Sequence, residues 1–375
     1  MDLKIGERIG DYEIEELLGA GGMGTVYRAR NAITHRKEAL KVLLPELSWD
    51  PDRADRFARE IRIQASLDHP NIAALRTALR LGDQLLMVIE LIDGITLEQR
   101  LRASRIELVQ GVGWMVETLA ALAYAHGRGI LHCDVKPGNI MITAENKVKL
   151  MDFGIARSMT DSGMTRTGMA LGSINYIAPE LIQGEEPDAR SDIYSVGATL
   201  CEVVTGEKAF QGMTDYEVMK AHLEYQPPSP EVRNPKVSPD LGRAIMRAIS
   251  KRREERFQTA DQFLLALKRV GSLTVPLQPE SAAAAVTSSA IPVGVGKTAS
   301  TTSPQVPSST SKRTWDEATL NRISKELGKY VGPLARVLVN RAAKTCTSVS
   351  ELYNTLAEEI PSWEDRERFI ENRPF

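Results

Sequence analysis

Between residues 12 and 91 the apolar positions fall in short runs, several of them alternating with polar ones. YEIEELL (12–18), GTVYRA (24–29), EALKVLL (38–44) and QLLMVIEL (84–91) each have the length and the β-rich composition of a strand. One segment departs from that period. Ala54, Phe57, Ile61 and Ala65 recur at helical spacing behind Asp50, a suitable N-cap, and Pro51, a suitable first helical residue. From Leu97 to about Val270 the pattern is mainly helical, as in VGWMVETLAALAYAH (112–126), SDIYSVGATLCEVV (191–204) and PDLGRAIMRAIS (239–250). A small β-rich lobe followed by a larger helical lobe predicts an α+β architecture with a cleft between the lobes.

Beyond Val270 the pattern fails. Residues 272–311 are rich in Ser, Thr, Ala, Pro and Val, contain no aromatic residue, and carry only Glu280 and Lys297 as charges. Such a stretch cannot bury enough apolar surface to offset its ordering entropy, and it predicts a flexible linker over 271–312. Within it GVGKT (294–298) imitates the end of a phosphate-binding P-loop. That motif needs a glycine where Ile291 stands, and no strand leads into it, so the imitation is set aside. Residues 313–375 regain helical spacing. Trp315, Leu320, Ile323 and Leu327 space one helix, a second starts at Gly332-Pro333 and runs through Val337 and Leu338, and a third covers 350–360. The division expected is therefore 12–270, a linker over 271–312, and a separate small all-α module over 313–375.

Composition narrows the function. The 375 residues are 42% apolar and 26% charged, ordinary values for a soluble globular chain. The net charge of −2 argues against nucleic acid as a partner. Cys133, Cys201 and Cys346 stand far apart, which disfavours a disulfide framework or a zinc site and suggests a reducing compartment. No apolar run approaches the ~18 residues of a membrane span, and MDLKIGERIGDYEIEE has no signal-peptide core. A cytoplasmic location with no membrane span is expected.

Five stretches carry candidate chemistry. In LLGAGGMGTVY (17–27), Gly19, Gly21 and Gly24 spell G-x-G-x-x-G. Dinucleotide folds share that spacing, but there the loop opens a helix, whereas here Thr25-Val26-Tyr27 continue as a strand. A glycine loop between strands can offer backbone N–H groups to phosphates. In EALKVL (38–43), alternation puts Lys41 on one face with Ala39 and Leu43. A lysine in an apolar strand must reach an anion or snorkel out. Glu60, on the inward face of the following helix, can hold it. In HCDVKPGN (132–139), Asp134 can accept a hydroxyl proton, Asn139 offers a hard oxygen suited to Mg2+, and Lys136 can neutralise charge on a transferring phosphoryl group. His132, behind the apolar Leu131, reads as a core or backbone-supporting imidazole rather than a catalyst. In KLMDFGIAR (149–157) a strand ends at Asp152, a carboxylate that would complete a magnesium site with Asn139. The fifth, IAPE (177–180), closes a polar, Gly-rich loop.

In this order and at these spacings the set resembles the bacterial eukaryotic-like (Hanks-type) protein serine/threonine kinases. The resemblance spans 12–270 and leaves out the linker and the C-terminal module. It implies a bilobal protein-kinase fold, with an antiparallel sheet and one helix in the N-lobe and a mainly helical C-lobe. It also implies ATP and Mg2+ as cofactors, with Mn2+ as an alternative, and Ser or Thr hydroxyls on proteins as acceptors. Carried over residue by residue, Lys41 contacts the α- and β-phosphates and pairs with Glu60. Asp134 is the catalytic base, Lys136 contacts the γ-phosphate, and Asn139 and Asp152 hold the metal. Leu18, Gly19, Gly21, Gly22, Gly24, Val26, Ala39 and Met141 enclose the nucleotide. Ile89 is the gatekeeper, and Glu90 and Ile92 supply hinge backbone groups. Glu180 and Arg256 form a buried ion pair, and Asp192 braces the catalytic loop.

One position departs from the family pattern. Cys133 stands where an arginine usually precedes the catalytic Asp, and a neutral thiol cannot bind a loop phosphate. Activity is therefore expected to depend little on phosphorylation of Thr160, Ser162, Thr165 or Thr167. The alternative is a pseudokinase, a nucleotide-binding scaffold. Lys41, Asp134 and Asp152 all being present speaks against it. For residues 313–375 a docking or regulatory partner is expected from layout alone.

Overall fold

The structure is a computed structural model, and it describes residues 3–20, 24–43, 51–81, 84–153, 157–158, 174–212, 214–273, 315–343, 346, 348–360 and 362–371. Six strands form the first sheet: β1 (Arg8–Ile9), β2 (Tyr12–Ala20), β3 (Gly24–Asn31), β4 (Lys37–Leu43), β5 (Leu75–Leu81) and β6 (Gln84–Glu90). Their order is β1-β2-β3-β4-β6-β5 and every pairing is antiparallel. Alternation along β4 sorts its side chains. Leu40 and Val42 join Tyr12, Ile14, Tyr27 and Val88 in one apolar cluster, so Lys41 faces the other way, beside Met87 across the ladder. On that second face the helix α1 (Pro51–Ala65) packs Phe57 and Ile61 against Met87.

The C-lobe begins with β7 (Gly94–Thr96) and α2 (Leu97–Ala103), whose start is fixed by a capping box between Thr96 and Gln99. Next comes α3 (Leu108–His126). By length and mean hydropathy alone α3 would cross a membrane, although polar residues interrupt its apolar run. Instead it packs against α5 (Ala189–Thr205) and α9 (Ala260–Leu273), with Trp114, Met115, Leu119 and Leu122 in the lobe's core. The chain then passes through β8 (Ile130–Leu131), β9 (Ile140–Thr143), β10 (Val148–Leu150) and β11 (Arg157–Ser158). After these come α4 (Pro179–Gln183), α6 (Asp215–Glu224), α7 (Pro230–Arg233) and α8 (Pro239–Ala248). At Gly197 on α5 even a methyl group would come within 2.7 Å of Ala248 on α8, so glycine sets that close approach.

Helix α9 runs to Leu273, three residues into the stretch expected to be linker. The C-terminal region holds four helices rather than the three its spacing predicts: α10 (Glu317–Val331), α11 (Ala335–Ala342), α12 (Val349–Glu358) and α13 (Trp363–Glu371). The fourth escapes detection because only Phe369 and Ile370 of its second half face inward, while Trp363 stays 67% exposed. Phe369 stacks on Tyr353 at 4.9 Å, and the Tyr353 hydroxyl donates to Glu326 at 2.9 Å, which closes the bundle.

Candidate active site

Strand register builds the roof of the cleft. Gly19 pairs with Val26 and Ala20 with Thr25, and an irregularity between Leu17 and Gly19 leaves Leu18 out of the ladder and exposed. Gly24 opens β3, whereas Gly21 and Gly22 lie outside the described residues. One strand over, Arg28 pairs with Ala39 and Val26 with Lys41, and beyond them Ala39 pairs with Ile89. Val26 and Lys41 thus share one cross-strand rung and Ala39 and Ile89 the rung two residues away, all four on one face of the sheet. Glu90 follows at the edge of β6. Its backbone N–H is held by Ala74 at 2.9 Å, and its carboxylate pairs with Lys149 at 2.6 Å and accepts the Ala74 N–H at 3.0 Å. Ile92 is half-buried just beyond.

Lys41 is the centre of the charged cluster. Its Nζ lies 2.6 Å from Glu60 Oε1 and 3.0 Å from Asp152 Oδ1. Burial works against this ammonium, but the carboxylates of Asp152 and Glu60 outweigh it and hold the pKa above the ordinary lysine value. Burial lifts Glu60 above the usual carboxylate range in spite of Lys41, and its second oxygen has no hydrogen-bond partner. Asp152 goes the other way: the cost of desolvation is overcome by Lys41, and the carboxyl stays below its ordinary value. Its side chain is 48% exposed, against 3% for Glu60, so Asp152 is the member of the cluster that opens on the cleft.

The floor comes from a hairpin. β9 and β10 pair antiparallel with Ile140 opposite Leu150, so Asn139, just before β9, and Asp152, just after β10, emerge at the same end. The Met151 N–H donates to the Asn139 carbonyl at 2.8 Å and ties the two together. Pro137–Asn139 forms a 3-10 turn that folds the loop back. As a result Asn139 Nδ2 donates to the Asp134 carbonyl at 2.9 Å and to its Oδ2 at 3.0 Å, and Lys136 Nζ donates to the same Oδ2 at 2.6 Å. Met141 is half-buried on the neighbouring strand.

Backbone support is extensive. His132 Nδ1 accepts the Asp134 N–H at 3.2 Å and Nε2 donates to the Met151 carbonyl at 2.9 Å, so the ring is the neutral Nε2–H tautomer linking the two polar loops. Its ring packs on Phe153, a core side chain. Buried Asp192 accepts from the backbone of His132 (2.9 Å) and Cys133 (2.8 Å) and from His126 Nε2 (2.8 Å). Cys133 needs that support, because its φ of 63° is the left-handed conformation that side chains disfavour. The thiol is half-buried rather than in the core, and it is not disulfide-bonded. Asp152 is left-handed too, with φ 56°. His126 is the residue that reasoning on the sequence overlooked. Its signal was a histidine in the last turn of a long helix, one residue before a glycine.

Beneath the site Glu180 and Arg256 form a bidentate pair at 2.8 and 2.9 Å. The remaining guanidinium N–H groups donate to the carbonyls of Ser250, Arg190 and Lys251, and Ser191 donates to Glu180. Thr160, Ser162, Thr165 and Thr167 lie outside the described residues.

For a metal, Asn139 and Asp152 offer two hard oxygens, since the Asn139 amide nitrogen is committed to Asp134. No group of three or more His, Cys, Asp or Glu side chains suited to a metal is present among the described residues. Two protein oxygens fit Mg2+, which keeps most of its shell as water and phosphate oxygen.

A family profile described as a protein kinase domain matches residues 12–265, and one described as a domain of unknown function (DUF8082) matches 318–373. The chain is 40% identical over 268 residues to the serine/threonine-protein kinase PknJ of Mycobacterium tuberculosis, a match covering 70% of this chain and 46% of that protein. It is 39% identical over 276 residues to PknB of the same species, covering 72% of this chain and 44% of that one. The chain thus spans less than half the length of these relatives. The crystal structure of the Mycobacterium tuberculosis PknI kinase domain superposes with a TM-score of 0.57 at 28% identity, over 72% of this chain and 99% of that one.

Proposed function

The chain belongs to the protein kinase family, and from that premise we propose that it transfers the γ-phosphoryl group of ATP to Ser or Thr hydroxyls on proteins, itself included. The observation that carries this reading is the double contact of Lys41. One β-strand lysine pairs with a helix glutamate and, across the cleft, with Asp152, while Asp134, Lys136 and Asn139 converge at the same end of the β9–β10 hairpin. A structural ion pair has no use for a second carboxylate that is half exposed.

In this reading the adenine lies between Val26, Ala39 and Met141, bounded by Ile89, with backbone groups of Glu90 and Ile92 along its edge. Leu18 and the glycines 19, 21, 22 and 24 cover the phosphates. Lys41, kept charged by its two carboxylates, holds the α- and β-phosphates, and Glu60 fixes where its Nζ points. Asn139 and Asp152 would hold Mg2+, which when bound would neutralise phosphate charge and help align the terminal phosphoryl group. Asp134 Oδ2 receives the proton of the incoming hydroxyl, a role worth about 10²–10⁴ in rate. Lys136, 2.6 Å from that oxygen, balances charge building on the phosphoryl group. Asp192 and His126 hold the loop that presents Asp134. Asp134→Asn keeps the shape and removes the base. Labelled transfer from ATP to a peptide that survives this change undiminished would sink the assignment.

The catalytic segment proposed is 12–270, joined through 271–312 to the module of 313–375, and the two family-profile ranges support that division. We further propose that Cys133 frees the enzyme from activation by loop phosphorylation. The position has no cation for a phosphate to neutralise, and its backbone is already held by Asp192. Replacing Thr160, Ser162, Thr165 and Thr167 together by Ala leaves kcat within a few-fold if this is right. A loss of about 100-fold, the scale of a misassembled site, would show that the loop phosphate is needed.

A further inference from the structure

The C-terminal helices rest on the kinase C-lobe. The turn Gly332–Leu334, between α10 and α11, packs against α4, and the apolar cores of lobe and module form one continuous cluster. Two polar contacts grip the start of α6. Glu359, just past α12, accepts the backbone N–H of Tyr216 at 3.0 Å, taking one of the donors that a helix start leaves open. Arg341 on α11 pairs with Asp215. Burial and the nearby Asp215 raise the Glu359 pKa in spite of that N–H and of Arg341.

The Ile174–Tyr176 turn leading into α4 packs on α6, and α2 packs on the Pro137–Asn139 turn of the catalytic loop. Glu98 on α2 lies beside Gly138, and its charge also acts on Tyr176, three residues before α4 begins. A bulky acceptor bringing a hydroxyl to Asp134 must lay its surface along this side of the loop, where α4 and α6 pack together. The grip is light: the Arg341 and Asp215 side chains remain 45% and 27% exposed. A pair so wet adds little alone. Tethering through residues 274–314 makes the docking intramolecular and raises its effective concentration, so weak contacts suffice.

We propose that residues 315–371 are a cis-docked cover for the α4–α6 face, latched by Glu359 on the start of α6 and by Arg341 on Asp215, and that the cover shields this face from protein acceptors. The shielding rests on the kinase reading above; the docking does not.

The test uses the full chain and two variants, Arg341→Glu and Glu359→Ala, with the charge swap Asp215→Arg/Arg341→Asp as rescue. Amide exchange at Tyr216 and its neighbours on α6 reads docking without reference to catalysis. Faster exchange in both variants is expected, with the charge swap restoring the wild-type rate lost in Arg341→Glu; unchanged exchange in both variants overturns the docking. Transfer is measured to an acceptor peptide picked from an array, free and fused to maltose-binding protein. In the variants KM for the fusion falls about fivefold or more, while KM for the free peptide and for ATP stays put. An unchanged KM for the fusion, or an equal fall for the free peptide, overturns the shielding. No transfer by any variant to either acceptor overturns the kinase reading and the shielding with it, and leaves the docking to be judged by exchange.

Discussion

Two of the buried ion pairs among the described residues have different designs. Arg256 and Glu180 are closed: both are buried, the bond is bidentate, and every guanidinium N–H has an acceptor. Lys41 and Glu60 are open: the contact is single, one Glu60 oxygen has no partner, and the lysine is shared with a carboxylate on the other lobe that faces the cleft. A pair whose bonding is complete holds a fold together. A pair with spare capacity beside a cleft is positioned to meet something else, here the phosphates of a nucleotide. Burial by itself does not separate the two; the count of satisfied groups does.

The sharpest test of this contrast is to delete the cation from each pair. Arg256→Met strands a buried carboxylate and should cost about 3–5 kcal/mol in urea unfolding. Lys41→Met should cost far less stability, because Glu60 is already pushed toward its protonated form and can neutralise itself. It should instead lower kcat/KM by about 10²–10³, the scale for losing one charge-stabilising group. Equal stability losses in the two variants would erase the distinction.

Acid gives a graded version. Glu180 and Asp192 have folded pKa values held below their ordinary 4.5 and 3.8, Glu180 against its burial by Arg256 and Ser191, Asp192 against its burial by His126 and its other partners. Their stabilisation is complete above those ordinary values and drains away as pH falls through them toward the depressed folded ones. Glu60, raised above 4.5, contributes in the opposite sense: in full below 4.5, and lost as pH climbs through its folded value. Wild-type unfolding midpoints should therefore fall from pH 5 to pH 3, and Glu180→Gln should flatten that limb. A limb left unchanged by Glu180→Gln would mean the closed pair is not what acid attacks. The smallest effect is expected far from both pairs. Tyr353→Phe removes one partly buried hydrogen bond to Glu326 and should cost about 1 kcal/mol, with no change in phosphoryl transfer.

Much of the site was legible in the chain because its parts are local. Asp134, Lys136 and Asn139 lie on one short loop. The alternation of EALKVL is enough to turn Lys41 away from Leu40 and Val42, and a helix follows on the face where Glu60 is needed. Other features were not legible. Nothing in HGRGI announces that His126 shares the Asp192 carboxylate, a partner 66 positions away. The half-exposure of Cys133 and its left-handed backbone also follow from distant support rather than from its neighbours in the sequence.

Read alone, the sequence determined the division into a β-rich and a helical lobe, the lobe in which each motif falls, and the side chains able to do chemistry, because periodicity and loop spacing are properties of a few consecutive residues. Only the tertiary structure decided which carboxylate of the Lys41 cluster opens on the cleft, that an apolar nineteen-residue helix is lobe core, and that the last four helices settle on α4 and α6. Those outcomes depend on which surfaces meet across long stretches of chain. Burial, charge pairing and helix capping between distant segments are set by the packed whole, and no local pattern encodes them.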